Sequence, residues 1–233
     1  MKAAILAGGA GTRLYPITAY VPKSLIPIGS RYVIEYILDY LKHYDIHDIV
    51  MLISEKESDL LRNHLGDGKR FEVSIKYSVA KRIGTAGALG AAARLLGERF
   101  IVYYGDVLTN MNLGEMISFH EKKRAACTLA LSTSVPTDYG VARVNEEGRV
   151  TYFEEKPIIK EYPVSMGILI CEREVLKYCK PNTDISYDII PRLLAEGNVS
   201  AYLTEKRHYD IGTFKSLEEV REVLETNTRF PLA

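Results

Sequence analysis

Tryptophan is absent from the 233 residues, and cysteine occurs only three times. Cys127, Cys171 and Cys179 have no C-x-x-C spacing and sit among apolar neighbours. That argues against a disulfide framework and leaves buried thiols of a reducing cytoplasm as the expectation. Net charge is missing too: 30 Lys+Arg balance 30 Asp+Glu. A general nucleic-acid or membrane-surface binder needs a basic excess, so both classes are disfavoured. No run approaches the roughly 18 apolar residues of a membrane span. Met-Lys-Ala-Ala-Ile-Leu-Ala at the N-terminus breaks into glycines too early for a signal peptide. Linkers, repeats and low-complexity tracts are also lacking, so one compact unit is expected.

What is present begins with the first 28 residues. An apolar strand, residues 2–7, runs into the glycine-rich Gly8-Gly9-Ala10-Gly11-Thr12-Arg13-Leu14. Lys23 follows in a second, proline-flanked loop, Pro22-Lys23-Ser24-Leu25-Ile26-Pro27. Close backbone N–H groups beside two fixed cations suit a polyphosphate. A Walker A loop is nowhere in the chain. The dinucleotide fingerprint fails as well, because Leu14 stands where its third glycine belongs.

Hydrophobic periodicity then predicts alternating strands and helices. Ile34, Ile37, Leu38 and Leu41 form one helical stripe over 32–43. Strand signals cover 48–53, 71–77 and 100–104, with helices over 57–65 and 87–96. Asn112 and Glu115 form a capping-box signal for a helix to about Arg124. This rhythm predicts a mostly parallel sheet with helices on both faces. The second half is richer in strands: 126–133, 166–171, and a hairpin of 141–145 with 149–154. Ser216 and Glu219 box the start of a C-terminal helix to about Thr226.

Taken together, the opening resembles the sugar-1-phosphate nucleotidyltransferases, whose signature is G-G-x-G-T-R-L followed by P-K-x-L-x-P. Later segments agree in order: Gly84-Thr85-Ala86-Gly87-Ala88, Tyr104-Gly105-Asp106, Tyr139-Gly140-Val141, Glu154-Glu155-Lys156-Pro157 and Asp210-Ile211-Gly212-Thr213. The resemblance stops near residue 230, without the C-terminal β-helix of longer relatives. It implies an α/β fold: a Rossmann-like, mostly parallel mixed sheet flanked by helices, with a smaller β-rich sugar-binding lobe. Residues 1–233 would form a single domain, 1–135 mainly for the nucleotide and 136–233 mainly for the sugar phosphate.

The reaction it implies joins an NTP to a sugar 1-phosphate and releases pyrophosphate. A phosphate monoester is already anionic, with a second pKa of about 6, and needs no general base. No Ser–His or His–Asp pattern stands out, in keeping with that. The resemblance gives Arg13 the β/γ-phosphates and Lys23 the α-phosphate. It makes Asp106 and Asp210 ligands of Mg²⁺. Leu6, Ala7, Gly8, Gly9, Gly11 and Thr12 would wrap the nucleotide, with Gly84, Thr85 and Ala86 as the opposite wall. Gly140, Glu155, Lys156 and Gly167 would hold the sugar phosphate. His208, two residues before Asp210, is a further candidate for ligand contact, whereas His43 and His47 read as solvated surface.

Three departures bear on specificity. Relatives using dTTP or UTP often carry a Gln where Ala80 stands here, so no pyrimidine reader is visible. The small residues of Gly84-Thr85-Ala86-Gly87 leave room for a purine, which favours GTP with mannose 1-phosphate. Ser165-Met166-Gly167 replaces the family's Asn-Ala-Gly, and Val107 replaces an Asn after Asp106. The same reaction with glucose 1-phosphate and dTTP or UTP, a heptose-1-phosphate guanylyltransferase, and a non-catalytic sensor of NDP-sugars are the alternatives. The 16 tyrosines suit an oligomer interface or a sugar pocket, and a homo-oligomer stays open.

Overall fold

The computed structural model describes residues 1–226 apart from Ala10, Arg82 and Asp138. The stretch near residue 230, where the resemblance stops, lies outside the described residues. The elements that position the site alternate as predicted. Strand β1 (Lys2–Leu6) is followed by α1 (Val33–His43), β2 (Asp48–Ser54), α2 (Ser58–Leu65) and β3 (Ser74–Ala80). Next come α3 (Thr85–Ala91), β4 (Arg99–Tyr104), β5 (Val107–Thr109), α4 (Leu113–Lys123) and β6 (Cys127–Ser132). The hairpin strands β7 (Val141–Val144) and β8 (Val150–Glu154) precede β9 (Val164–Glu172) and α5 (Ile190–Ala195). Strands β10 (Val199–Thr204) and β11 (His208–Asp210) lead into α6 (Phe214–Thr226).

Seven strands form one sheet in the order β10-β6-β9-β4-β1-β2-β3. Strand β1 pairs in parallel with β2 and β4, and β2 with β3. Only β9 runs against its neighbours, β4 and β6, while β10 rejoins β6 in parallel. The sheet therefore crosses from the first half of the chain into the second without a break.

Both faces of the central strands are covered, which is why they read as continuous apolar runs. Ala3 and Ile5 pack on one side with Ile34, Ile37, Leu38 and Leu41 of α1. Ala4, Val50 and Leu52 pack on the other with Ala86 and Leu89 of α3 and Leu193 of α5. The two-residue alternation of strand side chains sorts them into these two cores. Among the described residues, no helix is long and apolar enough to cross a membrane.

Some boundaries differ from the sequence reading. The strand expected over 71–77 starts three residues later; Phe71 closes a tight turn and Glu72 takes a positive φ of 60°. The small-residue helix spans 85–91 rather than 87–96. The C-terminal helix is capped by Thr213, whose Oγ1 accepts from the Ser216 N–H at 3.1 Å, not from Ser216 onward. By contrast, Asn112 caps α4 as expected, accepting from the Glu115 N–H at 3.1 Å. Cys127 and Cys171 are buried and Cys179 half-buried, all free, as the composition suggested.

Candidate active site

The parallel strands β1, β2, β3 and β4 all end at one edge of the sheet. There a cavity of about 380 Å³ opens between their carboxyl ends and α3. Open α/β sheets place ligands at this edge. Leu6, Ala7, Gly8 and Gly9 form one wall and Gly84, Thr85 and Ala88 another, with Lys23 and Asp106 between them. Ala86 is fully buried behind the wall instead, and Ala88, one turn-step on, takes its place at the cavity.

Why the second wall is built of small residues becomes clear from its far side. The segment 179–184 lies directly on α3. A Cβ on Gly84 would stand 2.1 Å from the Thr183 carbonyl oxygen, and one on Gly90 would stand 2.4 Å from that of Cys179. Gly84 also has φ 78°, a left-handed value that side chains disfavour. A Cβ on Gly87 would stand 3.1 Å from the Lys180 carbonyl oxygen. Of these three glycines only Gly84 borders the cavity. Their smallness admits a neighbouring backbone, and of the three only Gly84 leaves space at the cavity that a purine could use.

Two ion pairs hold the phosphate-side residues. Lys23 Nζ donates to Asp106 Oδ2 at 2.8 Å, with side chains 15% and 23% exposed. Arg13 Nη2 donates to Asp210 Oδ2 at 3.2 Å, where the side chains are 61% and 44% exposed. The two carboxylates, 104 positions apart in the chain, are brought side by side by backbone. Strand β11 pairs antiparallel with β5, aligning Asp210 with Val107, and the Ile211 N–H donates to the Asp106 carbonyl at 2.7 Å. Gly212 allows the approach, since a Cβ there would meet Arg13 Nη2 at 2.6 Å and Asp210 Oδ1 at 2.9 Å.

Among the described residues no group of three or more His, Cys, Asp or Glu forms a closed metal cage. Mg²⁺ commonly takes one or two protein carboxylates and completes its shell with water and phosphate oxygens. Asp106 and Asp210 fit that donor set.

The remaining expected residues lie farther out. Gly11 turns with φ 62°, its carbonyl bound by the Thr18 hydroxyl at 2.7 Å, and packs against the Lys23 stem. Neither Thr12 nor Arg13 borders the cavity. Gly167 (φ 69°) packs on Tyr104 and Val107, next to Asp106. Gly140 and Glu155 neighbour each other on the exposed β7–β8 arm, and Lys156 follows with φ 49°. None of Gly140, Glu155, Lys156 and Gly167 lines the cavity. His208 does not line it either; burial holds its pKa below the usual value. His43 and His47 are exposed, as expected.

Sequence reasoning missed other lining residues. Ser78 on β3 borders the cavity with Lys81, beside Ala80, which the sequence had placed at the base, and Ser54 does so from the end of β2. The Ser54 hydroxyl donates to the buried Glu57 carboxylate. Tyr104 borders it too, the one tyrosine among the described lining residues, and burial raises its pKa. Asp184 reaches the cavity from the segment packed on α3. Asp184 caps the turn that follows it, accepting from the Ser186 N–H at 2.8 Å, and nothing local in the sequence ties it to Gly84.

Comparison with known proteins identifies the family. The family described as "Nucleotidyl transferase" matches residues 2–227. A UTP–glucose-1-phosphate uridylyltransferase of Synechocystis sp. is 32% identical over 218 residues, covering 84% of this chain and 56% of its own length. A mannose-1-phosphate guanylyltransferase of Mycobacterium tuberculosis is 29% identical, covering 91% of this chain and 61% of its own. The chain thus spans little more than half the length of these curated relatives. A Bacillus anthracis crystal structure assigned as a glucose-1-phosphate thymidylyltransferase, in complex with sucrose, superposes with a TM-score of 0.77. It is 28% identical and covers 96% of this chain and 95% of its own. The chain belongs to the nucleotidyl transferase family.

Proposed function

We propose that this chain transfers a nucleotidyl group from an NTP to a sugar 1-phosphate, releasing pyrophosphate. The observation that carries the reading is the double ion pair at the sheet's carboxyl edge, Lys23 with Asp106 and Arg13 with Asp210. Two cations and two carboxylates beside a cavity with a glycine-rich wall are what a reaction between two polyanions requires. In the reaction an oxygen of the sugar phosphate forms a bond to the α-phosphorus, and the bond from that phosphorus to the β-phosphate oxygen breaks.

Lys23, at the cavity, offsets charge at the phosphorus under attack, and Arg13 grips the departing pyrophosphate through its planar fork. Mg²⁺ held by Asp106 and Asp210 would neutralise phosphate charge there. Once substrates arrive, their oxygens replace the carboxylates as partners of the two cations. Glu155 and Lys156 on the β7–β8 arm serve the sugar phosphate.

GTP with mannose 1-phosphate is the favoured pair. Support comes from Ala80, which presents a methyl group where an amide would read a pyrimidine, and from the relative named as a guanylyltransferase. Glucose 1-phosphate with UTP is the competing pair, on the strength of the 32% identical uridylyltransferase. Incubation with each NTP, a panel of sugar 1-phosphates and Mg²⁺, followed by pyrophosphate release, decides between them. Tight NDP-sugar binding with no turnover for any pair would replace the enzyme reading by that of a sensor.

A further inference from the structure

Asp106 and Asp184 are the two carboxylates among the described residues that line the cavity. They are not equivalent. Asp106 is neutralised by Lys23 at 2.8 Å. Asp184 has no cation partner among the described residues; it is held by neutral donors. Its Oδ2 accepts from the Thr85 hydroxyl at 2.7 Å and its Oδ1 from the Ser186 N–H at 2.8 Å. Thr85 in turn accepts from the Ile185 N–H at 2.9 Å, so the carboxylate is fixed from two sides. The Thr183 carbonyl, accepting from the Ala86 N–H at 3.1 Å, ties the same segment to the first turn of α3.

A carboxylate without a cation repels phosphate at short range. It therefore has no place beside the polyphosphate and belongs where the bound molecule is neutral. Each carboxylate offers about four lone-pair sites, and the described partners of Asp184 use two. On this basis, and resting on the function proposed above, we infer that Asp184 is a specificity residue. It accepts a hydrogen bond from an O–H or N–H donor of the uncharged part of the substrates, either the nucleoside of the NTP or the sugar ring of the sugar 1-phosphate. Such a site discriminates sharply, because a substrate lacking the donor leaves a charged acceptor unpaired.

The test is Asp184→Asn, which keeps a capping oxygen for Ser186 but loses the charge and one acceptor. The wild type is first assayed with its best substrate pair, so failure there refutes the proposed function and not this residue's role. In the variant, KM for one substrate is expected to rise about 10- to 100-fold, as for a hydrogen bond to a charged group. The other KM should stay unchanged. A rise for the NTP assigns the donor to the nucleoside; a rise for the sugar 1-phosphate assigns it to the sugar.

Deoxy analogues of the affected substrate supply the readout a purely structural role would not move. The analogue missing the contacted donor should lose rate with the wild type and lose almost none with the variant. Asp184→Ser, which also retains a capping oxygen, should give the same split if the first variant folds poorly. Equal changes in both KM values, or analogue discrimination undiminished in both variants, would overturn the assignment.

Discussion

Lys23 Nζ lies 2.8 Å from Asp106 Oδ2, an ion pair that joins the second loop of the chain to the end of β4. In the proposed reaction the two partners have separate work, Lys23 on phosphate charge and Asp106 at the metal it would hold. Asp106→Asn and Lys23→Ala should therefore each lower turnover by about 10²–10³-fold, the range for losing a preorganised charge at a developing one. The pair is largely buried, its side chains 15% and 23% exposed, so removing one partner leaves a charge poorly compensated and should also lower the melting temperature. Pyrophosphate release measured alongside a thermal melt separates the two effects; near-normal rates in Asp106→Asn would refute its role.

Gly84 and Gly9 both border the cavity, yet their substitution should act in opposite ways. A Cβ on Gly84 meets the Thr183 carbonyl at 2.1 Å and forces a side chain onto φ 78°. Gly84→Ala should destabilise the fold by about 3 kcal/mol, combining overpacking with left-handed strain. A Cβ on Gly9 meets nothing within 4 Å. Gly9→Ala should keep its melting temperature and instead raise KM for the NTP, because the new methyl stands in the nucleotide's path. Paired melts and kinetics check both.

Much of this was legible in the chain itself. The apolar runs of β1, β2 and β4 and the stripe on α1 are local patterns, and so is the Asn112 cap. Asp106 was placed at the cavity by the end of its strand, since strands that run in parallel deliver their ends to one edge, and Lys23 was placed there by the family resemblance. Asp184 was not legible, because its link to Thr85 spans 99 positions and depends on how tightly 179–184 lies on α3. The glycines at 84, 87 and 90 were visible, but their purpose was not. Smallness alone does not tell a residue facing a ligand from one facing a backbone carbonyl.

Ser24 sits in the wall beside Lys23, almost wholly buried, and its hydroxyl meets no hydrogen-bond partner among the described residues. An unsatisfied buried hydroxyl costs about 1–3 kcal/mol. Ser24→Ala should raise stability, by roughly 1 kcal/mol after the small loss of packing, seen as a higher denaturation midpoint. A lower midpoint would mean that the hydroxyl is satisfied in solution.

His120 is buried under α4, with Nδ1 2.7 Å from Thr128 Oγ1 and Nε2 3.0 Å from Glu172 Oε1. Its pKa lies below the usual 6.5, because burial outweighs the hydrogen bond that the ring donates to Glu172, and nearby Arg99 adds to the lowering. The unfolded chain thus takes up a proton near pH 6.5 while the folded one stays neutral. Stability from this group is complete above pH 6.5 and declines as pH falls from there toward the lower folded value. His208 is also lowered by burial and acts in the same direction. The difference between wild type and His120→Gln isolates His120. The melting temperature of the wild type should fall more steeply between pH 7 and 5 than that of the variant, and parallel curves would assign the slope elsewhere.

Arg13 differs from Lys23 in its setting: its side chain is 61% exposed and its Asp210 partner 44%. An exposed pair of this kind adds about 0–1 kcal/mol, so Arg13→Ala should leave the melting temperature nearly unchanged. Its effect should fall on the nucleotide. In the proposed reaction Arg13 grips the β/γ-phosphates, so losing the guanidinium should raise KM for the NTP and slow pyrophosphate departure, while KM for the sugar 1-phosphate holds. Arg13→Lys should recover only part of the loss, because an ammonium is a point charge and cannot span two phosphate oxygens as the planar fork does. Steady-state kinetics with each substrate varied in turn reads all three outcomes, and a full rescue by Lys would show that charge alone, without the fork, does the work at this position.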